Sequence, residues 1–222
     1  MKKQFLLLFF TVITVAGWAQ NKAAFGVRAG LSSAGMRGDA VNNLDNLLNF
    51  TNGMVTTHNR TGFFAGGFAS IPLSNAISVE PALYYSQKGY ELRGELGIKG
   101  TEFLGARAKA QLQSDYIDMP VILKANLGGG FQVFAGPQVS YLMSSNLKTS
   151  AGILGFNLLN NTTDATSQFN RWDMGLTAGL GYQFKNGMNL MAAYDYGLSK
   201  VDANKNVNGF NNAFKVGVGI SF

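Results

Sequence analysis

The last nine residues of the chain, 214–222, alternate strictly between apolar side chains and polar or small ones. A period of two is typical of a β-strand with one apolar and one polar face. The strand ends on a bare Phe222, and an apolar strand edge that is exposed to water invites aggregation. A closed barrel with its apolar face in lipid avoids this problem, because every strand edge is paired with a neighbour.

Seven further segments carry the same alternation, and the connections between the eight segments are alternately long and short. The segments are residues 24–32, 62–70, 77–87, 115–126, 131–144, 171–184 and 188–198. The short connections include Gly128-Gly129-Gly130 and the hairpin signal Asn186-Gly187. Outer-membrane barrels combine short periplasmic turns with long extracellular loops. The pattern therefore predicts an all-β fold: an eight-stranded, antiparallel, up-and-down transmembrane β-barrel.

The N-terminus carries the features of a secretory signal. Lys2 and Lys3 precede an apolar run over residues 5–15, and Gly17-Trp18-Ala19 has the small-x-small pattern of a cleavage site. We therefore predict a signal peptide over residues 1–19 and a barrel domain over residues 20–222. Charged residues make up only 14% of the chain, which is low for a soluble surface. The expected location is the outer membrane of a Gram-negative bacterium.

Aromatic side chains on the apolar parity sort into two levels along the predicted strands. Trp and Tyr are enriched where a membrane meets water, and barrels carry an aromatic girdle at each interface. The periplasmic girdle is predicted to contain Phe25, Phe131, Phe184 and Phe222. The opposite girdle is predicted to contain Tyr85, Tyr141, Trp172, Tyr196 and Phe214.

Charged residues on the opposite parity are expected to face the lumen. They are Arg28, Glu80, Asp118, Lys124, Arg171, Asp173, Asp195 and Lys215. They could form a polar pathway or ligand site, or they could be ion pairs that plug a narrow barrel. Buried charges must be paired, and side chains can fill the interior of an eight-stranded barrel. The plug is the preferred interpretation.

The composition argues against catalysis, cofactors and nucleic acid. The chain has no Cys and a single His58, so it offers neither a thiolate nucleophile nor a multi-histidine metal site. Nearby Arg and Lys residues explain Glu80 and Asp118 as ion-pair partners rather than as a catalytic pair. The basic residues are scattered, which does not favour a nucleic-acid surface. We therefore expect no enzymatic activity, no cofactor and no metal.

Four stretches resemble the PorT-like outer-membrane β-barrel family, which is similar in architecture to small barrels such as the OmpA membrane domain. They are FGVRAGL from Phe25, EPALYYSQKG from Glu80, YIDMPVILK from Tyr116, and the glycine-rich last strand. The resemblance implies insertion by the barrel-assembly machinery, which reads a C-terminal strand with a terminal aromatic. It implies no shared ligand or catalytic residue.

The expected function is a structural or binding role of the extracellular loops, which are the usual site of recognition on a rigid scaffold. Outer-membrane lipid is the expected surrounding, and a protein or small molecule could be the ligand at the loops. Two alternatives are a narrow pore for small solutes and a subunit of a protein-secretion assembly.

Overall fold

The computed structural model describes residues 23–38, 55–96, 106–153, 156–203 and 208–222. These residues form nine β-strands and one short 3-10 helix, Thr166–Gln168. The strands are β1 Ala24–Arg37, β2 Val55–Pro72, β3 Ile77–Leu96, β4 Ala106–Gly128, β5 Phe131–Ile153, β6 Phe156–Asp164, β7 Trp172–Gln183, β8 Met188–Gly197 and β9 Phe210–Ser221. The predicted signal peptide lies outside the described residues.

Eight of the nine strands close into a ring, which confirms the predicted fold class. Every named pair is antiparallel, and consecutive strands pair with one another except where β5 bonds directly to β7. The ring is closed by β1 and β9, whose pairing runs from Gly26 opposite Ser221 to Arg37 opposite Phe210. Every strand in the ring therefore has a partner on both sides, as lipid requires.

The predicted long loops are the main difference from the sequence interpretation. Much of the predicted loop 88–114 is a continuous hairpin, because β3 and β4 stay paired up to Leu96 opposite Ala106. Within the predicted loop 145–170, β5 continues to Ile153, and β6 pairs with this part of it. Many residues of these strands are polar, so the sequence does not show the alternation of apolar and polar side chains that predicts a strand. The backbone N–H and C=O groups are nevertheless paired between the strands.

The outer face of β4 shows where the membrane-spanning part ends. Val121, Leu123 and Leu127 on this face are exposed, as expected for side chains that meet lipid. A register shift between β4 and β5 lies at Asp115/Tyr116, and beyond it the outer positions of β4 are polar. The apolar part covers about the 9–11 residues that a tilted strand needs to span a bilayer.

All nine predicted girdle residues lie on the outer face. Eight have exposed side chains, and Tyr85 is half-buried. At the end with short turns, the ring of Tyr182 lies 5.0 Å from that of Phe131 and 4.8 Å from that of Phe184. Near the other end, the ring centroids of Tyr141 and Trp172 are 5.0 Å apart. Aromatic contacts thus occur at both ends of the apolar band.

Candidate functional site

Side chains on a strand alternate between its two faces, so the residues between the outward apolar ones point into the barrel. Many of these inward residues are charged. Seven of the eight predicted lumen residues are buried on the inner face, and Glu80 and Asp118 have no exposed surface. The seven are Arg28, Glu80, Asp118, Lys124, Asp173, Asp195 and Lys215. Their positions on six different strands of the ring bring together residues that are far apart in sequence.

The first cluster of these charges is centred on Glu80. Its Oε1 lies 2.7 Å from Nη1 of Arg28, and its Oε2 forms an ion pair with the ammonium of Lys124. The Arg28 guanidinium also donates to the hydroxyl of Tyr84 at 2.7 Å and to Asn189 Oδ1 at 3.1 Å. Both oxygens of the buried carboxylate therefore have cationic partners, which is the condition for keeping it charged in the interior.

The second cluster is centred on Asp118. The Lys88 ammonium lies 2.8 Å from its Oδ1, and the Lys215 ammonium lies 2.8 Å from its Oδ2. Ser140 donates to Oδ1 at 2.6 Å. Lys215 continues the chain of contacts to Asp195 at 2.7 Å. The cluster thus links β3, β4, β5, β8 and β9 across the barrel.

Inward-facing aromatic rings line the same interior. The Arg28 guanidinium carbon lies 4.2 Å from the ring centroid of Phe68, and the Lys88 ammonium lies 4.7 Å from that of Tyr116. The Lys215 ammonium lies 5.5 Å from the ring centroid of Phe64. Desolvated cations gain from such contacts in addition to their ion pairs.

Arg171 is the predicted lumen residue that the structure places elsewhere. Its side chain is exposed, and it donates to the carbonyl oxygens of Leu142 and Met143 at 3.1 and 3.0 Å. The residue precedes the first paired residue of β7, Trp172, so the alternation of the strand does not fix its direction. The prediction that Arg171 faces the lumen was therefore wrong.

Three further residues lie in the interior that the sequence pattern did not single out, namely Lys88, Tyr84 and Tyr116. Lys88 shares the parity of Glu80 but lies one residue beyond the predicted end of the strand at Gln87. With Lys88 included, the buried charged side chains in and around the two clusters are four basic and four acidic ones. The basic ones are Arg28, Lys88, Lys124 and Lys215, and the acidic ones are Glu80, Asp118, Asp173 and Asp195.

Small voids lie between these side chains, and two of them border the charged clusters. One is lined by residues of both clusters, including Arg28, Glu80 and Lys215. The other is lined by Lys88, Asp173, Asp195 and neighbouring polar residues. Each has room for only about one or two water molecules. The described interior is therefore filled by side chains rather than open for a solute.

Beyond the apolar band, β2, β3, β4, β5 and β6 form an open sheet, which we call the extension (residues 55–59, 88–96, 106–114, 145–153 and 156–164). Its outer face carries Glu91, which pairs with Lys109 at 2.9 Å and with Arg93. Burial disfavours the charged form of Glu91, but the hydrogen bonds from Arg93 and Lys109 outweigh it and hold the pKa of Glu91 below its ordinary value.

The two faces of the extension differ in chemistry. Leu112 and Leu147 are opposite one another on the face that continues the inner side of the barrel. Lys148 and Thr162 are opposite one another on the outer face, and both are exposed. Among the described strands, β6 pairs only with β5, so its other edge is not covered by a described strand. The extension therefore offers a polar surface and an open sheet edge above the membrane.

The described residues contain no group of three or more His, Cys, Asp or Glu side chains arranged to hold a metal ion. Within the same part of the chain, no helix is long and apolar enough to cross a membrane.

A closed antiparallel ring with apolar side chains outside and paired charges inside defines an integral membrane β-barrel. Residues 18–203 match the family described as "Outer membrane protein beta-barrel domain", and the chain belongs to this family. It is an outer-membrane protein of the Gram-negative type, as predicted. Membership in this broader family does not distinguish a PorT-like member from other outer-membrane barrels.

Solved structures of small barrels are similar to this chain at low sequence identity. The attachment invasion locus protein Ail of Yersinia pestis is 12% identical with a TM-score of 0.45, over 91% of this chain and 100% of that chain. Neisserial surface protein A is 16% identical with a TM-score of 0.45, over the same shares. OprG of Pseudomonas aeruginosa is 14% identical with a TM-score of 0.35, over 90% and 96%. A search of curated proteins found no match.

Proposed function

We propose that the protein is a non-catalytic outer-membrane anchor whose plugged barrel holds a binding surface, the extension, outside the membrane. The observation that carries this proposal is the length of β3, β4 and β5, which continue as paired strands well beyond their apolar parts. A membrane anchor alone needs only about 9–11 residues per strand. The additional paired residues form a rigid, solvent-facing sheet, and binding sites favour surfaces that a rigid scaffold holds in place.

The interior supports the non-catalytic part of the proposal. A general acid or base needs a carboxylate with a free oxygen near a substrate. Glu80 and Asp118 instead have both oxygens engaged by cations, and they belong to different clusters. The neighbouring voids are too small for a substrate molecule.

Insertion is proposed to proceed through β9 and the barrel-assembly machinery. The outer positions of β9 are apolar, and Phe222 follows the strand with 79% of its surface exposed. A role as a PorT-like subunit of a secretion assembly would use the same anchor and the same external sheet, and it would appear as a protein partner at the extension.

The plugged interior predicts that the barrel does not conduct. Purified protein in planar bilayers should show no stepwise current at 100 mV in 1 M KCl, because the ion pairs of Glu80 and Asp118 block the lumen. An open porin reconstituted in the same way serves as the positive control. Regular, protein-dependent current steps would favour the narrow-pore alternative and refute the plug.

Site-specific photo-crosslinking tests the binding surface. A photoreactive phenylalanine analogue at Lys148 or Thr162 should give discrete adducts in intact cells, because both side chains are exposed on the outer face of the extension. The matched control places the same analogue at Leu123, which is exposed on the lipid face. Adducts at Leu123 alone, or none at either extension position, would count against the proposed surface.

A further inference from the structure

The second of the two voids, which is lined by Lys88, Asp173 and Asp195, has a carboxylate without a counter-charge in its wall. It is lined by Asp173, Asp195, Gln138, Ser140, Lys88 and Asn211, among others, and it holds about one water-sized particle. Asp173 is 6% exposed. Its Oδ2 accepts a hydrogen bond from the Asn211 amide at 2.8 Å, while its Oδ1 is buried without any hydrogen-bond partner.

The charges around this void do not balance. Three carboxylates, those of Asp118, Asp173 and Asp195, are close enough to influence one another, whereas the nearby cations are Lys88 and Lys215. Lys88 pairs with Asp118, and Lys215 pairs with both Asp118 and Asp195. No described cation lies within ion-pair distance of Asp173. One negative charge is therefore left over, and a buried charge without a counter-charge is costly.

We propose that this void binds a monovalent cation, Na⁺ or K⁺, with Oδ1 of Asp173 as its anionic ligand. The void also borders the side chains of Asp195 and Gln138, and oxygen is the ligand atom that hard cations prefer. A monovalent cation cancels the one excess negative charge around the void, whereas a divalent cation would leave one excess positive charge. A water molecule could bond to Oδ1 but would leave the charge unbalanced.

Thermal unfolding in matched salts tests the site. The purified protein in detergent is unfolded in 100 mM NaCl, KCl or N-methyl-D-glucamine chloride, an organic cation that is too large for the void. We expect the unfolding midpoint to be about 3 °C or more higher in NaCl or KCl, because a ligand of the folded state stabilises it. Asp173→Asn should abolish this difference.

The matched control is Asp164→Asn, which changes an exposed carboxylate outside the barrel and should keep the salt dependence. Equal midpoints of the wild type in all three salts would overturn the proposal, leaving a water or a bound proton at Asp173. A salt difference that survives in Asp173→Asn would place the cation elsewhere and overturn it as well.

Sodium-23 NMR of the wild type keeps the test decisive if Asp173→Asn does not fold. Relaxation of Na⁺ enhanced by the protein and reversed by added K⁺ supports the site. Relaxation unaffected by the protein refutes it.

Discussion

Replacing Asp118 by Asn should lower the free energy of unfolding by about 3–5 kcal/mol, because it leaves a buried ammonium without its counter-charge. Asp118 has no exposed surface and holds both Lys88 and Lys215 at 2.8 Å. After the substitution, Lys215 keeps Asp195, whereas Lys88 keeps the hydroxyl of Ser140 and the ring of Tyr116 but loses the carboxylate with which it pairs. Denaturant unfolding in lipid vesicles, followed by the fluorescence of Trp172, measures the loss.

Two further variants separate the charge effect from a general loss of packing. Adding Lys88→Met to Asp118→Asn removes the stranded ammonium, and we expect it to recover more than half of the lost stability. Asp164→Asn should leave the stability nearly unchanged, because Asp164 is exposed and Asn keeps the oxygen that accepts the Thr166 N–H. A small effect of Asp118→Asn, or no recovery in the double variant, would contradict the buried network.

Replacing Gly30 by Ala should cost at least about 3 kcal/mol and should sharply reduce the yield of folded barrel. A Cβ at this position would lie 2.1 Å from the carbonyl oxygen of Val216 and 2.5 Å from the Cα of Gly217. Both neighbours are backbone atoms of β9, so neither can move without disturbing the closure of the ring. The shift in gel mobility on boiling gives the folded fraction.

Gly67→Ala is the matched control on the adjacent strand β2. The nearest atom to a Cβ there is the carbonyl oxygen of Gly26 at 3.6 Å, which is an ordinary contact. We expect this variant to fold in normal yield with an unchanged or slightly higher stability, since Ala restricts the unfolded chain more than Gly does. Equal yields for Gly30→Ala and Gly67→Ala would show that β1 and β9 are not packed this closely.

The membrane-spanning part of the fold was predictable because lipid outside and charge inside impose a strict alternation. The alternation identified the eight strands of the ring and the inner position of Glu80 and Asp118. It weakens above the membrane, where water contacts the outer face. There the polar outer positions and the sparse apolar inner positions, such as Leu112, no longer mark a strand. For this reason the pattern predicts loops where β6 and the extended parts of β2 to β5 lie.

The pairing of the interior charges could not be derived from sequence. The alternation along each strand shows that Arg28, Lys124 and Glu80 face inward. Which of these side chains come into contact depends on how far neighbouring strands are shifted along one another. That shift depends on the shear of the closed ring, which the chain order does not encode locally. Arg171 shows the related limit at a strand end, where one residue more or less of pairing decides whether a side chain enters the lumen.

The seam between β1 and β9 has a consequence for the order in which the barrel forms. Its partners, such as Gly26 and Ser221, are separated by nearly the whole described chain, whereas most other pairs join neighbouring segments. Ring closure between such distant segments carries the largest entropic cost of any described pairing, so we expect it to form last. Until then the two terminal strands present unpaired edges to the bilayer, and the rate of this last step sets how long the nascent barrel is exposed to aggregation.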